Sequence, residues 1–289
     1  MPSLKTYRTR IKSVKNTQKI TRAMKLVSAA KLRRAQMAAL NHREYANGLR
    51  RIITEMARRA EHRGHPLLQQ PENGADLIVL VTSDRGLCGG FNGNLSRRLR
   101  GQIMPDDQLP SPENIQIRFV GRKGQEFFKA WGWKSDSSVP STSPTSPKAA
   151  QELERFVVEG FTGGKYRSVT IAYNKFKSAI AQEITFEKLL PISVENDPAV
   201  PAPPDYIYEP AREEILSTLL PRYVASCIQQ AILESVASEH AARMTAMESA
   251  TKNCSEAIGS LTLQMNRARQ ALITKELMEI IGGAESLKG

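Results

Sequence analysis

The 289-residue chain is poor in cysteine: it has three, Cys88, Cys227 and Cys254, and no two are closely spaced. That excludes a disulfide-stapled scaffold and a cysteine zinc site, and it fits a reducing compartment. Aromatic residues make up 6% of the chain, too few to suggest stacking platforms for single-stranded nucleic acid. No window approaches about 18 consecutive apolar residues, so no membrane-spanning helix is expected. Acids are absent from the first 43 residues; the first is Glu44. Proline is absent between Pro2 and Pro66, and again after Pro221.

Those two proline-free stretches are the chain's strongest signal. Ser3 to Arg63, and Arg222 to Ile281 before the Gly282–Gly283 pair, each read as a helix of roughly 90 Å. Ordinary globular helices run three or four turns, so neither is expected to wrap a compact core. In the second stretch Met244, Met247, Thr251, Cys254, Ile258, Leu261, Met265, Ala268 and Leu272 alternate in steps of three and four. A repeat sustained this long predicts a left-handed coiled-coil seam. The first stretch offers Leu4, Tyr7, Ile11, Val14, Gln18 and Thr21 at the same spacing, then Tyr45, Leu49, Ile52 and Met56. Between them Ala23, Ser28, Ala29 and Ala30 blur the phase. Two matched arms in one chain predict an intramolecular antiparallel pair, with a homodimeric coiled coil as the plainer alternative.

The net charge of +12 is unevenly placed. Residues 1–63 hold 17 Lys and Arg against three acids, +14, while the remainder holds 24 against 26, −2. A basic, acid-poor N-terminus is similar to a mitochondrial transit peptide, but about 60 residues joined to a seam exceed what a cleaved leader needs. Nucleic-acid binding is a second reading, weakened because only Tyr7 and Tyr45 interleave with the charges. A third is a long partner, or a ring of partners, with acidic faces. A solvated helical face is the plain alternative to all three.

The middle of the chain changes period. Leu77–Val81, Ile115–Val120, Ser168–Tyr173 and the weaker Ile184–Leu190 read as strands, with helices near Gly93–Met104, Lys123–Trp131 and Lys148–Glu159. The alternation predicts a small Rossmann-like α/β head with parallel pairing. The Ser/Pro/Thr-rich residues 134–147 read as a surface loop, and the five-proline stretch Pro191–Asp205 as a connector. Pro210 followed by Glu213 and Glu214 reads as a helix start. Pro221 predicts a kink or break, with the long helix restarting there. The expected division is residues 1–65 and 210–289 as the two long helices and 66–209 as the head.

Candidate chemistry is thin. Ser83-Asp84-Arg85-Gly86-Leu87-Cys88-Gly89-Gly90 lies where a nucleotide fold grips phosphate, between a strand and a helix. It lacks both G-x-G-x-x-G and a closing Gly-Lys-Ser/Thr frame, so the glycines read as a tight turn, with Asp84 and Arg85 able to pair. His42, His62, His65 and His240 all fall on or beside the long helices. His62-x-x-His65 has no nearby cysteine, which argues against a metal site. No nucleophile–base pair stands out, and no catalytic residue, cofactor or metal is expected. The chain reads as a mechanical or interaction protein.

Specific motifs sharpen this. Ile11-Lys12-Ser13-Val14-Lys15-Asn16-Thr17-Gln18-Lys19-Ile20-Thr21-Arg22-Ala23-Met24, the run Ser83–Gly90, and Asn266-Arg267-Ala268-Arg269-Gln270-Ala271-Leu272-Ile273-Thr274-Lys275-Glu276-Leu277 resemble the three signatures of the gamma subunit of the rotary F-type ATP synthase. Asp205-Tyr206-Ile207-Tyr208-Glu209-Pro210 and Glu239-His240-Ala241-Ala242-Arg243-Met244 fall between them in the family's order. The resemblance covers the chain end to end. It implies a curved shaft of the two terminal helices inside a ring of alternating alpha and beta subunits. The head would stand on the c-ring and bind the epsilon subunit, peripheral to the cytoplasmic face of a bacterial inner membrane.

The resemblance also places Met24, Lys25, Arg269, Gln270 and Thr274 against beta, and Tyr206, Tyr208 and Glu209 against the c-ring and epsilon. It implies no catalytic residue, cofactor or nucleic-acid partner. Two departures stand out: Pro191–Asp205 lacks the redox cysteine pair of the chloroplast form, and Lys25 stands where some relatives carry an acid. The rivals are a basic coiled-coil nucleic-acid-binding protein and a small nucleotide enzyme built on the head.

Overall fold

The computed structural model describes residues 3–57, 65–105, 108, 110–111, 113–133, 138–139, 147–193 and 209–286. By contact the chain groups into two units, residues 29–243 and, separately, residues 1–28 with 244–289. The elements in order are α1 (Leu4–Ala57), a 3-10 turn (Pro66–Leu68), β1 (Ala75–Val81), α2 (Phe91–Ile103), β2 (Ile115–Val120) and α3 (Arg122–Lys129). There follow β3 (Ser138–Val139), α4 (Pro147–Thr162), β4 (Tyr166–Phe176), β5 (Gln182–Leu190) and α5 (Arg212–Ser286).

In the larger unit the four apolar runs become strands of one five-stranded sheet, ordered β3-β2-β1-β4-β5. β1 lies centrally, parallel to β2 and β4, with Ile78 opposite Ile117 and Thr170. Parallel pairing was expected throughout, but β5 runs antiparallel to β4, with Phe176 opposite Gln182. Only five residues join them, enough for a hairpin and far too few for the crossover a parallel neighbour needs. β3 falls inside the stretch expected to be a surface loop and pairs with β2 through two residues, too few to show a period.

Strand alternation feeds two cores. Leu77, Val79 and Val81 of β1 join Val157 and Phe161 of α4, Ile53 and Met56 of α1, and Leu216, Leu220, Val224 and Ile228 of α5. Leu80 points the other way, into a cluster with Leu95 and Leu99 of α2, Phe119 of β2 and Phe128 of α3. Fully burying such a side chain contributes about 1.5–3 kcal/mol. Both long helices are therefore built into the sheet's core through their head-side turns.

That packing overrides the expected break. α5 runs from Arg212 with Glu213 and Glu214 in its first turn, as read, but passes through Pro221 as one helix. An internal proline costs about 3 kcal/mol. Leu216, Leu220, Val224 and Ile228, each 4% exposed or less, pack on both sides of it and offset the loss. The far end also extends beyond the expected stop: Gly282 and Gly283 lie inside the helix, since glycine weakens a helix by only about 1 kcal/mol.

In the smaller unit, residues 4–28 of α1 pair antiparallel with residues 244–269 of α5. Gln18 Nε2 donates to Ser255 Oγ at 2.6 Å, the Thr21 and Thr251 hydroxyls lie 2.8 Å apart, and Lys25 Nζ reaches Glu248 at 2.6 Å. The seam residues from Leu4 to Thr21, and from Met244 to Ala268, are half-buried or buried, as the repeat predicts. Leu272 is not in the seam; it is 46% exposed. Carrying the Gln18–Ser255 register back 14 residues to Leu4 and forward 14 reaches Arg269, so α1 offers nothing opposite Leu272.

The second series on α1 needs correcting too. Tyr45 and Ile52 are 54% and 44% exposed, while Leu49, Ile53 and Met56 are buried. The buried phase passes through Thr21, Ser28, Leu32, Ala35 and Ala39. Ala23 and Ala30 are exposed. Polar and small residues occupy the inward positions, which hid the continuity of the repeat.

Candidate functional site

Met24 and Lys25 sit half-buried on α1, one turn beyond Thr21. Lys25 Nζ is committed to Glu248 of α5, with the two side chains 35% and 61% exposed. Glu248 carried no signal in the sequence, because an ion pair across 223 residues has no spacing to betray it. Around this pair the outward positions Lys19, Arg22, Leu26 and Val27 are exposed.

Arg269, Gln270 and Thr274 are all exposed. They lie on the part of α5 that continues past its last seam residue, Ala268. Thr274 Oγ1 donates to the Gln270 carbonyl at 3.0 Å, leaving the Arg269 guanidinium and the Gln270 amide facing outward. Farther on, Leu272, Ile273, Leu277, Met278, Ile280 and Ile281 are 45–68% exposed, a dense apolar exposure for one helix end. Glu209 is exposed immediately before Pro210. Tyr206 and Tyr208 lie outside the described residues.

The loop after β1 is tied to itself and to the helices that follow by hydrogen bonds. The Ser83 amide donates to Asn92 Oδ1 at 2.9 Å, and Ser83 Oγ to the Arg85 carbonyl at 2.7 Å. The Phe91 amide donates to the Cys88 carbonyl, and Asn94 to Gly90. Asp84 accepts the Arg122 amide at 3.1 Å. The Thr82 hydroxyl lies 3.1 Å from the Val120 carbonyl and receives the Gly124 amide at 2.9 Å. Gly121, with φ +90°, allows this crossing, because a Cβ there would stand 2.2 Å from the Thr82 carbonyl. A P-loop leaves its amides free for a ligand; here the Ser83 amide is spent on Asn92, and the first amides of α2 on the Cys88 and Gly90 carbonyls.

Three of the four histidines lie among the described residues and serve local ends; His62 lies outside them. His65 Nδ1 accepts the Leu67 amide at the 3-10 turn, and burial lowers its pKa. His42 Nε2 lies 3.0 Å from the Ser226 carbonyl, tying α1 to α5 in the larger unit. His240 is pushed down to about 4 by burial, then by the cations Arg243 and Lys31. Arg43 reaches Glu234, whose side chain is only 4% exposed, at 2.9 Å. Burial raises Cys88 and carries Cys227 up to about 12, which keeps both as thiols.

A five-stranded α/β domain with both terminal helices built into its core, and a second unit in which those helices pair antiparallel, define a mixed α/β protein with two long terminal helices. The family model described as ATP synthase matches residues 3–287. The ATP synthase gamma chain of Geobacter metallireducens is 48% identical over 293 residues, with the whole of both chains covered. The chain belongs to the ATP synthase gamma chain family, and so is a subunit of that complex. In a structure of the Tetrahymena thermophila mitochondrial ATP synthase central stalk and c-ring, one chain is 25% identical with a TM-score of 0.61. The match covers 80% of this chain and 99% of that one. The Euglena gracilis mitochondrial ATP synthase rotor shares the fold at 18% identity, with a TM-score of 0.63 and 93% and 98% coverage.

Proposed function

We propose that this chain is the central rotor stalk of an ATP synthase. By turning inside a ring of alpha and beta subunits, it couples ion flow through a membrane sector to ATP synthesis or hydrolysis. The observation carrying this reading is the antiparallel pairing of the two long helices through Gln18–Ser255, Thr21–Thr251 and Lys25–Glu248, in a family member matched over the whole of its relative's length. Residues 1–65 and 210–289 serve as the shaft and 66–209 as the head. The excess of cations on α1 favours acidic faces on the ring.

In this reading Met24 and Lys25 meet an acidic segment of beta, and Lys25 does so while shared with Glu248. Arg269, Gln270 and Thr274 meet a loop of beta near the far end of α5, where the apolar side chains from Leu272 onward are sheathed by the ring. Tyr206, Tyr208 and Glu209 form the foot toward the c-ring and the epsilon subunit. The chain supplies no catalytic residue; the chemistry belongs to the ring. It sits peripherally on the cytoplasmic face of a bacterial inner membrane.

The test is expression in a bacterial host lacking its own gamma chain, with ATP-driven proton uptake measured in inverted membrane vesicles. Recovery of an alpha–beta complex containing the chain, with proton uptake restored, is the expected result. A chain that stays outside the complex and instead co-purifies with nucleic acid, with a steep salt dependence, would overturn the reading.

A further inference from the structure

Where α1 meets α5 in the larger unit, a short polar column runs along α5. Ser226, Gln230, Glu234 and Ser238 follow one another at four-residue steps, which stacks them on one face of the helix. α1 answers with His42, whose Nε2 lies 3.0 Å from the Ser226 carbonyl, and with Arg43, whose Nη2 donates to Glu234 Oε1 at 2.9 Å. Gln230 Nε2 donates to the same carboxylate oxygen at 2.8 Å. Glu234 and Ser238 are 3% and 0% exposed.

Donors are spread unevenly over this column. Glu234 Oε1 takes two of them. Glu234 Oε2, Gln230 Oε1 and Ser238 Oγ are each buried and have no hydrogen-bond partner among the described residues. Leaving a buried acceptor unpaired costs its desolvation, and the cost is greatest on a charged group. The nearby phenol does not fill the need. Burial, then the charges of Glu187 and Glu234, push the Tyr173 phenol up, and it donates its one proton to Glu187 at 3.2 Å. A second cation would meet repulsion from Arg43, which already balances the carboxylate. The three oxygens therefore ask for a small neutral molecule with two protons to donate and one lone pair to offer. Water is that molecule, and buried waters typically make about three hydrogen bonds to such groups.

We infer that Gln230, Glu234 and Ser238 form an internal water site beside the α1–α5 contact of the larger unit. The water donates to Glu234 Oε2 and to Gln230 Oε1, and accepts the Ser238 hydroxyl proton. Its importance lies in what Glu234 holds: the Arg43–Glu234 pair ties α1 to α5, and a buried ion pair is sustained only when its remaining lone pairs are bonded. Water on the second oxygen completes that set and keeps α1 fastened. The inference stands on the larger unit alone, whether or not the stalk reading holds.

The test is oxygen-17 magnetic relaxation dispersion on the full chain, which counts waters held inside the fold. Gln230→Met with Ser238→Ala removes two of the three partners, keeps good helix formers in place and leaves Arg43 and Glu234 intact. The double variant should hold about one internal water fewer than the parent, and amide hydrogen exchange in α1 near Arg43 should rise several-fold. Equal water counts in the two folded chains would overturn the site. So would a parent whose melting temperature is higher in sodium or potassium chloride than in choline chloride at equal ionic strength, when the double variant's is not, because that would assign the place to a cation. Should the double variant fail to fold, a crystal structure of the parent at a resolution that orders water decides: a water within about 3 Å of Glu234 Oε2 is expected, and its absence there would overturn the inference.

Discussion

Lys25 and Glu248, far apart in sequence, meet at 2.6 Å across the antiparallel helix pair. The Lys25 cation is therefore partly neutralised from within. Both side chains keep access to water, which places the pair among exposed salt bridges of about 0–1 kcal/mol. So weak a bond leaves Lys25 able to exchange Glu248 for a carboxylate on a partner.

Lys25→Glu places two acids face to face. Loss of the pair and the new repulsion together should lower stability by no more than about 1 kcal/mol, so the helix pair should survive. The ATPase rate of the assembled complex should change several-fold, and the change should shrink as ionic strength rises. Equal rates for parent and variant at low and high salt would remove Lys25 from the beta contact.

His240 gives the larger unit an acid sensitivity. Burial, helped by Arg243 and Lys31, lowers the ring to about 4 from its ordinary 6.5. The neutral form is thus favoured in the folded chain. Its stabilisation is complete above pH 6.5 and is lost as pH falls toward 4. Each unit corresponds to about 1.4 kcal/mol, but solvent reaches part of the ring, so about 1–2 kcal/mol is the expected loss. Glu239, raised first by burial and lowered in part by Arg243, works in the opposite direction: its contribution is retained at low pH and lost as pH rises through its elevated value. The comparison that isolates the ring is parent against His240→Gln in thermal melts from pH 7 to 4. The variant's curve should be flatter, and parallel curves would show the imidazole to be indifferent.

Gly160 of α4 is a packing requirement. A Cβ there would stand 2.2 Å from the ring of Tyr166, which is buried at the start of β4. Gly160→Ala should therefore destabilise by about 1–3 kcal/mol through overpacking, despite alanine's better helix propensity. Gly160→Ala combined with Tyr166→Leu should recover part of the loss in chemical denaturation. A single alanine variant as stable as the parent would show that the tyrosine has room to move.

How much was legible follows from which signals are local. β1, β2, β4 and β5 were all readable because each is an apolar run bounded by turn residues. The α5 seam to Ala268 was readable because a 3–4 repeat is periodic in sequence. What failed depended on long-range packing. Pro221 looked like a break because the apolar residues around it gain their partners only in the folded core. On α1, Thr21, Ser28, Ala35 and Ala39 carry the buried phase with side chains no hydropathy pattern would choose, while the apolar Tyr45 and Ile52 face outward. Contacts such as Lys25–Glu248 and Arg243 with the 85–86 carbonyls have no sequence period at all. Spacing did place Arg269 and Gln270 on an outward face, and both are exposed.

Those two residues carry the last prediction. α5 continues beyond Ala268 without a partner from α1, so Arg269 and Gln270 meet solvent in the isolated chain, and mutation there removes no internal contact. Arg269→Ala with Gln270→Ala should therefore leave the melting temperature of the chain within about 0.5 kcal/mol equivalent of the parent. If the pair meets a loop of beta, the complex loses hydrogen bonds to a charged group, each contributing about 1.5–3 kcal/mol. Gel filtration of the assembled ring should then show weaker retention of the chain, and ATP synthesis in vesicles should fall in parallel. Thr274→Val, which removes only a hydroxyl already bonded to the Gln270 carbonyl, should have a smaller effect on both. A double alanine variant with full assembly and unaltered synthesis would place the beta contact elsewhere on α5, with the apolar end from Leu272 to Ile281 next in line.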